Sequence, residues 1–135
     1  MQYIKYIAIL ALLVDPLILR AQVFVIAHKK MDIKSASKKD IQKVFLGKSK
    51  KIGDVSVVPI NHDENTDDYK QFVKVVLGKN LKQLKRYWAR KVFTGKGTPG
   101  ESKDNAVGYV AANENTISYT LTKPEQGVLI IGKYN

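Results

Sequence analysis

The run Val23-Phe24-Val25-Ile26-Ala27 decides how the chain is read. It is short, continuously apolar and rich in β-branched residues, and His28-Lys29-Lys30 ends it. A run of that length and composition, with polar residues closing it, reads as a buried strand. Immediately downstream the period changes. Ser37-Lys38-Lys39-Asp40 has the form of a helix start with Ser37 as N-cap, and Ile41, Val44 and Phe45 follow at helical spacing before Gly47. Lys48 to Asp54 reads as a polar loop, and Val55 to Ile60 (VSVVPI) as a second strand with Pro59 near its end.

The same alternation continues toward the carboxyl terminus. Asn61 to Asn65 is a turn, after which Asn65 or Thr66 caps a helix with Asp67 and Asp68 in its first turn and Phe72, Val73, Val76 and Leu77 on its apolar face. Beyond Gly78, Leu81, Leu84, Tyr87, Trp88 and Val92 mark a second, strongly basic helix. Thr94 to Gly100 is a loop, and a further helix is expected from Ser102, carrying Ala106, Val107, Val110 and Ala111. Ile117 to Leu121 and Val128 to Ile131 read as closing strands. The order β-α-β-α-α-α-β-β predicts an α/β fold, a central sheet with helices on its faces.

Upstream of the first strand the chain has the layout of a secretory signal peptide. Lys5 supplies an early positive charge, Ile7 to Val14 is unbroken apolar sequence, and Leu19-Arg20-Ala21 ends in a small residue. The apolar run is too short for a spanning helix, which needs about 20 residues, and Asp15 and Pro16 interrupt it. The expected organisation is therefore a leader over residues 1–21 and one domain over residues 22–135, exported to a periplasm or secreted, with no stable membrane anchor after cleavage. Taking 21 residues from 135 leaves 114, enough for one core and not for two. With no cysteine, disulfides and thiolate metal sites are excluded.

Loss of the leader removes two of 23 basic residues and one of 12 acidic ones, so the net charge passes from +11 to +10. Such an excess favours anionic partners. The cations are nearly all lysine, a solvated point charge without the planar fork of arginine, and export removes nucleic acid as the expected target. Lys82, Lys85, Arg86, Arg90 and Lys91 are interleaved with Tyr87 and Trp88; the preferred reading is a solvated basic face with the aromatics turned inward.

Several strings resemble chemistry without meeting its requirements. Gly95-Lys96-Gly97-Thr98-Pro99-Gly100 fits G-x-G-x-x-G, but a helix precedes it where a dinucleotide site needs a strand. Gly47-Lys48-Ser49 imitates the end of a P-loop, but Gln42 stands where its first glycine belongs. His28 and His62 both follow predicted strands and are placed to approach one another at one edge of the sheet; a zinc site would still need a third ligand, for which Asp63 and Glu64 are the neighbours. Two partly exposed histidines at loop starts is the preferred reading, so no metal and no cofactor is expected. No serine sits in a nucleophile elbow and no carboxylate pair stands in an apolar setting, so the domain is read as non-catalytic.

Taken together, a more specific set of strings emerges: Asp40 to Lys48 (DIQKVFLGK), Val58-Pro59-Ile60-Asn61, Phe72 with Val76-Leu77-Gly78-Lys79, Tyr87-Trp88, Val92 to Pro99 (VFTGKGTP), Val110-Ala111-Ala112-Asn113 and Thr116-Ile117-Ser118-Tyr119. These resemble the short proteins related to phosphate ABC transporter substrate-binding proteins, of the type II periplasmic binding protein class, with Trp88 to Pro99 the most specific block. The resemblance implies a single lobe of that fold, a central mixed sheet with helices on its faces, and a binding role in the cell envelope. Phosphate-binding relatives typically place an arginine and a Ser-Gly-Thr at the turn into a helix. The matching stretch Asn61-His62-Asp63-Glu64-Asn65-Thr66 keeps one hydroxyl, has no arginine, and is flanked by carboxylates that repel an oxyanion. Tight phosphate binding is not expected.

The expected partner is a small polar or anionic solute, or else an envelope protein. A solute site belongs where strands hand over to helices, at His28, Ser37, Asn61, Asn65 and Thr66, with Tyr119 nearby. The alternative is an interaction protein that docks its lysine-rich surface on an acidic envelope partner and has no pocket. Export has a direct check: protein recovered from its native host should have an intact mass lacking residues 1–21, and a full-length cytosolic species overturns the leader reading.

Overall fold

The computed structural model describes residues 22–124 and 127–135; the expected leader lies outside them. The elements are β1 (Val23–His28), α1 (Lys38–Phe45), β2 (Lys51–Ile52), β3 (Val55–Ser56), β4 (Val58–Asn61), α2 (Asp67–Val75), α3 (Leu81–Phe93), β5 (Glu101–Ser102), α4 (Ala106–Ala112), β6 (Thr116–Thr120) and β7 (Val128–Tyr134). Five strands form one sheet in the order β5-β4-β6-β1-β7, and β2-β3 is a separate hairpin. β4 runs parallel to β5 and β6, whereas β1 runs antiparallel to β6 and β7. The sheet is mixed and helices cover both faces, as the sequence predicts.

β1 is buried along its whole length. Successive side chains of a strand point to opposite faces, and β1 has helices on each. Val23, Val25 and Ala27 face the larger core with Ile41, Val44, Phe45, Phe72 and Val76, while Phe24 and Ile26 face Val110 of α4. A strand covered on both sides needs apolar residues at every position, which is why VFVIA shows no alternation.

The helix starts follow the local chemistry. Ser37 Oγ accepts the Asp40 N–H, Thr66 Oγ1 the Tyr69 N–H, and Asn80 with Gln83 closes a reciprocal capping box on α3. Gly47, at φ +70°, turns the chain out of α1, and a Cβ there would stand 3.1 Å from Trp88 Cη2. α3 is latched to this corner: Tyr87 Oη and Lys91 Nζ both donate to Leu46 O, at 2.5 and 3.1 Å. Those two groups satisfy a carbonyl left over at the end of α1.

The last strand runs on from Ile131 to Tyr134, and two predicted elements are redrawn because a backbone group finds a tertiary partner. The strand expected over 55–60 is split. Val55–Ser56 pairs with Lys51–Ile52, inside the stretch expected to be loop, and Val58–Asn61 joins the main sheet. Between them Val57 N–H donates to Lys50 O and Val58 N–H to Asn115 O, so the chain changes partners within one residue. The helix expected from Ser102 begins at Ala106, capped by Asn105. Glu101–Ser102 instead forms an edge strand against Ile60–Asn61. Gly100 permits that approach, since a Cβ there would lie 2.7 Å from Pro59 O.

The larger core is organised by an aromatic cluster. Phe72 stacks on Tyr119 at 3.8 Å between ring centroids, and Phe45 meets Phe72 edge-on at 4.7 Å. Phe72 is fully buried, so Phe72→Ala should cost about 3–5 kcal/mol. Urea unfolding would read this as a lower midpoint at unchanged slope.

Candidate functional site

β4 and β6 are parallel, so their carboxyl ends, Asn61 and Thr120, lie at the same edge of the sheet. Tyr119 Oη donates to Asn61 Oδ1 at 2.9 Å, and Asn61 Nδ2 donates to Gly100 O at 3.2 Å. His62 N–H donates to Tyr119 Oη at 3.3 Å, and His62 Nε2 lies 2.6 Å from Tyr119 O. A carbonyl only accepts, so the proton of this imidazole is on Nε2. Asp68 Oδ2 accepts the Leu121 N–H at 3.1 Å, tying the start of α2 to the end of β6.

The turn into α2 is equally occupied. Asp63 Oδ1 accepts the Asn65 N–H at 2.8 Å, and Thr66 Oγ1 donates to Asp63 O at 2.7 Å while capping Tyr69. The Thr66 hydroxyl is therefore spent on the fold. Tyr119 is fully buried, and burial pushes its phenol far above the ordinary value of 10.0. It positions Asn61 and His62 from below.

Asn61, Asn65, Thr66 and Tyr119 thus share one edge, but His28 and Ser37 do not join them. Antiparallel pairing puts Ala27 opposite Ile117, so His28 sits at the other end of the sheet, where its Nδ1 accepts the Lys30 N–H at 3.1 Å. Ser37 caps α1 beside β7, where Ala36 N–H donates to Ile131 O, three strands across from β4. The expected approach of His28 to His62 is corrected by the same pairing, because β1 runs opposite to β4. Among the described residues no group of three or more potential metal ligands converges.

The open space at this edge lies outward of Asn65. A cleft of about 430 Å³ runs between α2, α3 and the loop before β5. Tyr69, Leu84 and Trp88 form its apolar floor, with Leu81 and Pro99 on its sides. Asn65, Glu64, Lys70, Lys82 and Lys85 supply the polar rim, three cations against one carboxylate. A second hollow of about 250 Å³ opens on the far side of Trp88 and Pro99, against Val57 and Pro59 of the sheet edge. Trp88 is held between them by Tyr87, edge-on at 5.2 Å, and by Lys91 Nζ 5.7 Å over its ring. A third, polar hollow holds Lys43, Lys48, Lys51 and Ser49, but the Ser49 hydroxyl donates to Lys51 O and accepts the Lys51 N–H.

Of the expected site residues only Asn65 lines the main cleft. Tyr69, Lys70, Leu81, Lys82, Lys85, Trp88 and Pro99 were not expected there. The helical spacing of Leu81, Leu84, Trp88 and Val92 suggests one core-facing stripe, yet Leu81 and Val92 are exposed. The stripe is wider than the surface that covers it. That excess of apolar residues over a single helix face is the signal that could have located the cleft.

No family model matches the chain, and no curated protein sequence does. Among solved structures, a candidate phosphate ABC transporter substrate-binding protein from Clostridium perfringens, with phosphate bound, matches with a TM-score of 0.60 at 19% sequence identity. The match covers 82% of this chain and 45% of that one, so the chain spans less than half the length of its structural neighbour. The likeness is one of fold: a central mixed sheet with helices on its faces, shared with part of that protein.

The buried phenol makes a pH prediction. Tyr119 is neutral in both states below about pH 10, and above it only the unfolded chain ionises readily. Stability should fall as pH rises past that point. Tyr119→Phe should flatten part of this alkaline slope, the remainder coming from Tyr69 and Tyr134, both also raised by burial. Near neutral pH the same variant should lose about 1–2 kcal/mol through the unpaired Asn61 Oδ1. Chemical denaturation from pH 7 to 11.5 measures both.

Proposed function

We propose that residues 22–135 form an exported, non-catalytic binding lobe that takes a small anionic solute in the cleft between α2, α3 and the loop before β5. The observation that carries this reading is the cleft itself, at the edge where β4 hands over to α2, in a lobe whose fold matches part of a protein that holds phosphate. Ligands of open α/β sheets bind outside the carboxyl ends of the strands.

The residues favour a carboxylate with an apolar body over free phosphate. At the turn into α2 the cap hydroxyl is used, and Asp63, Glu64, Asp67 and Asp68 flank Thr66 in sequence. An oxyanion there would meet carboxylates, with no arginine to offset them. In the cleft, Trp88, Tyr69 and Leu81 offer apolar surface, while Lys70, Lys82 and Lys85 offer charge at the rim. Lysine suits a solute held by charge and contact more than by a planar fork. The non-catalytic reading is supported by the one histidine at this edge, whose Nε2 is bound to the Tyr119 carbonyl.

The test is a thermal-shift series on the full chain with benzoate, aliphatic carboxylates, phosphate, sulfate, neutral amino acids and sugars. A solute at about 100 times its Kd stabilises by about 2.7 kcal/mol, so a carboxylate should raise Tm saturably by several degrees, and Lys82→Gln with Lys85→Gln should abolish the rise. No shift with any of the panel overturns the reading. A shift with phosphate alone overturns the preference for carboxylates.

A further inference from the structure

α3 carries a second surface that the cleft does not use. Between Lys79 and Gly100 the sequence has seven cationic residues and no aspartate or glutamate. Lys91 is committed to the Leu46 and Gly47 carbonyls, and Lys82 and Lys85 reach the cleft. The remaining cations of the helix are Arg86 and Arg90, which are the only arginines downstream of Arg20. Both are exposed, one turn apart, and the ion pairs among the described residues, Lys30–Glu114 and Lys103–Glu101, leave them out.

Helical spacing gathers a set around them. Arg86, Ala89, Arg90 and Phe93 recur at intervals of three and four, on the side of α3 away from its buried Leu84. Phe93 is 92% exposed, an aromatic ring standing in water at the end of a cationic stripe. Val92 beside it is 51% exposed, and Lys96 follows in an exposed loop. Helix stability accounts for Arg90 but not for Arg86 or the exposed Phe93. Cations favour the carboxyl end of a helix, which suits Arg90, but α3 has no acidic residue in its first turn, whereas α1 and α2 both do.

We propose that this outer face of α3 docks peripherally on an anionic phospholipid surface, with Arg86, Arg90 and Lys96 on the headgroups and Phe93 inserted at the headgroup–acyl boundary. The charge of the face is complementary to such a surface, and an exposed aromatic among cations on a capped, rigid helix is the arrangement that interfacial binding uses. An acidic protein partner would be served by the cations alone and gives the bare ring no role. No helix among the described residues is long and apolar enough to cross a membrane, so the contact proposed for α3 is peripheral. The inference is independent of the solute reading, since it uses no residue of the cleft's floor.

The experiment is co-sedimentation of the full chain with vesicles of equal parts phosphatidylglycerol and phosphatidylcholine, against pure phosphatidylcholine. Because the chain has no cysteine, Ala89→Cys places an environment-sensitive fluorophore on this face alone. Binding should require the anionic lipid, weaken with added salt, and shift the label's emission to the blue. Each of Arg86→Gln and Arg90→Gln should weaken it about fivefold, and Phe93→Ala roughly tenfold. All three positions are at the surface, and unchanged melting temperatures would establish that the variants fold. Absence of binding overturns the proposal. So does binding through the apolar segment at residues 7–14, which would leave the label in water and the variants unaffected. Equal capture by soluble polyglutamate, indifferent to Phe93→Ala, would assign the face to an acidic protein instead.

Discussion

Every layer of the domain closes on β1. It pairs on both edges, with β6 and β7, and is covered on both faces, by α1 and α2 on one side and α4 on the other. Its direction then decides the site. Because β1 runs against β4 and β6, the carboxyl ends of β4 and β6 gather at one edge while the carboxyl end of β1 is sent to the opposite one. The polar residues that follow β4 are thereby separated from those that follow β1, and they gather at opposite ends of the sheet.

The core and that edge are joined through Tyr119. Its ring belongs to the aromatic stack with Phe72 and Phe45, and its hydroxyl reaches Asn61. Burial of so large a side chain is favourable only if its hydroxyl finds a partner, and Asn61 provides it. Asn61 in turn holds Gly100, and so the loop that forms one wall of the cleft. Asn61, His62 Nε2 and the Tyr119 hydroxyl are used in building the edge. What remains open for a ligand lies one layer outward, between two helices and the loop.

α3 is the helix on which those demands converge. Its inner side carries Leu84 into the core and latches Tyr87 and Lys91 onto the end of α1. One flank presents Trp88 and Leu81 to the cleft, and the outer side presents Arg86, Arg90 and Phe93 to solvent. One thirteen-residue helix thus serves three surfaces. Lysine and arginine divide accordingly: Lys91 is structural, Lys82 and Lys85 line the cleft, and the arginines stand outside.

Much of the fold was legible in the residues alone. Continuous apolar sequence marked β1, period and caps marked α1 and α2, period alone marked α3, and the order of elements implied the layered sheet. These features are local, because caps, turns and amphipathic stripes depend on neighbours within a few residues. Strand direction was not legible, nor was the exchange of partners at Val57, nor the edge strand at Glu101, since each is a choice of backbone partner distant in sequence. The site followed the same division. Asn61, Asn65, Thr66 and Tyr119 could be placed together because they adjoin the ends of strands, but Trp88 and the cleft beside it could not. A helix sequence shows which residues are apolar; only the packed neighbours decide how much of that stripe is covered and how much is left open.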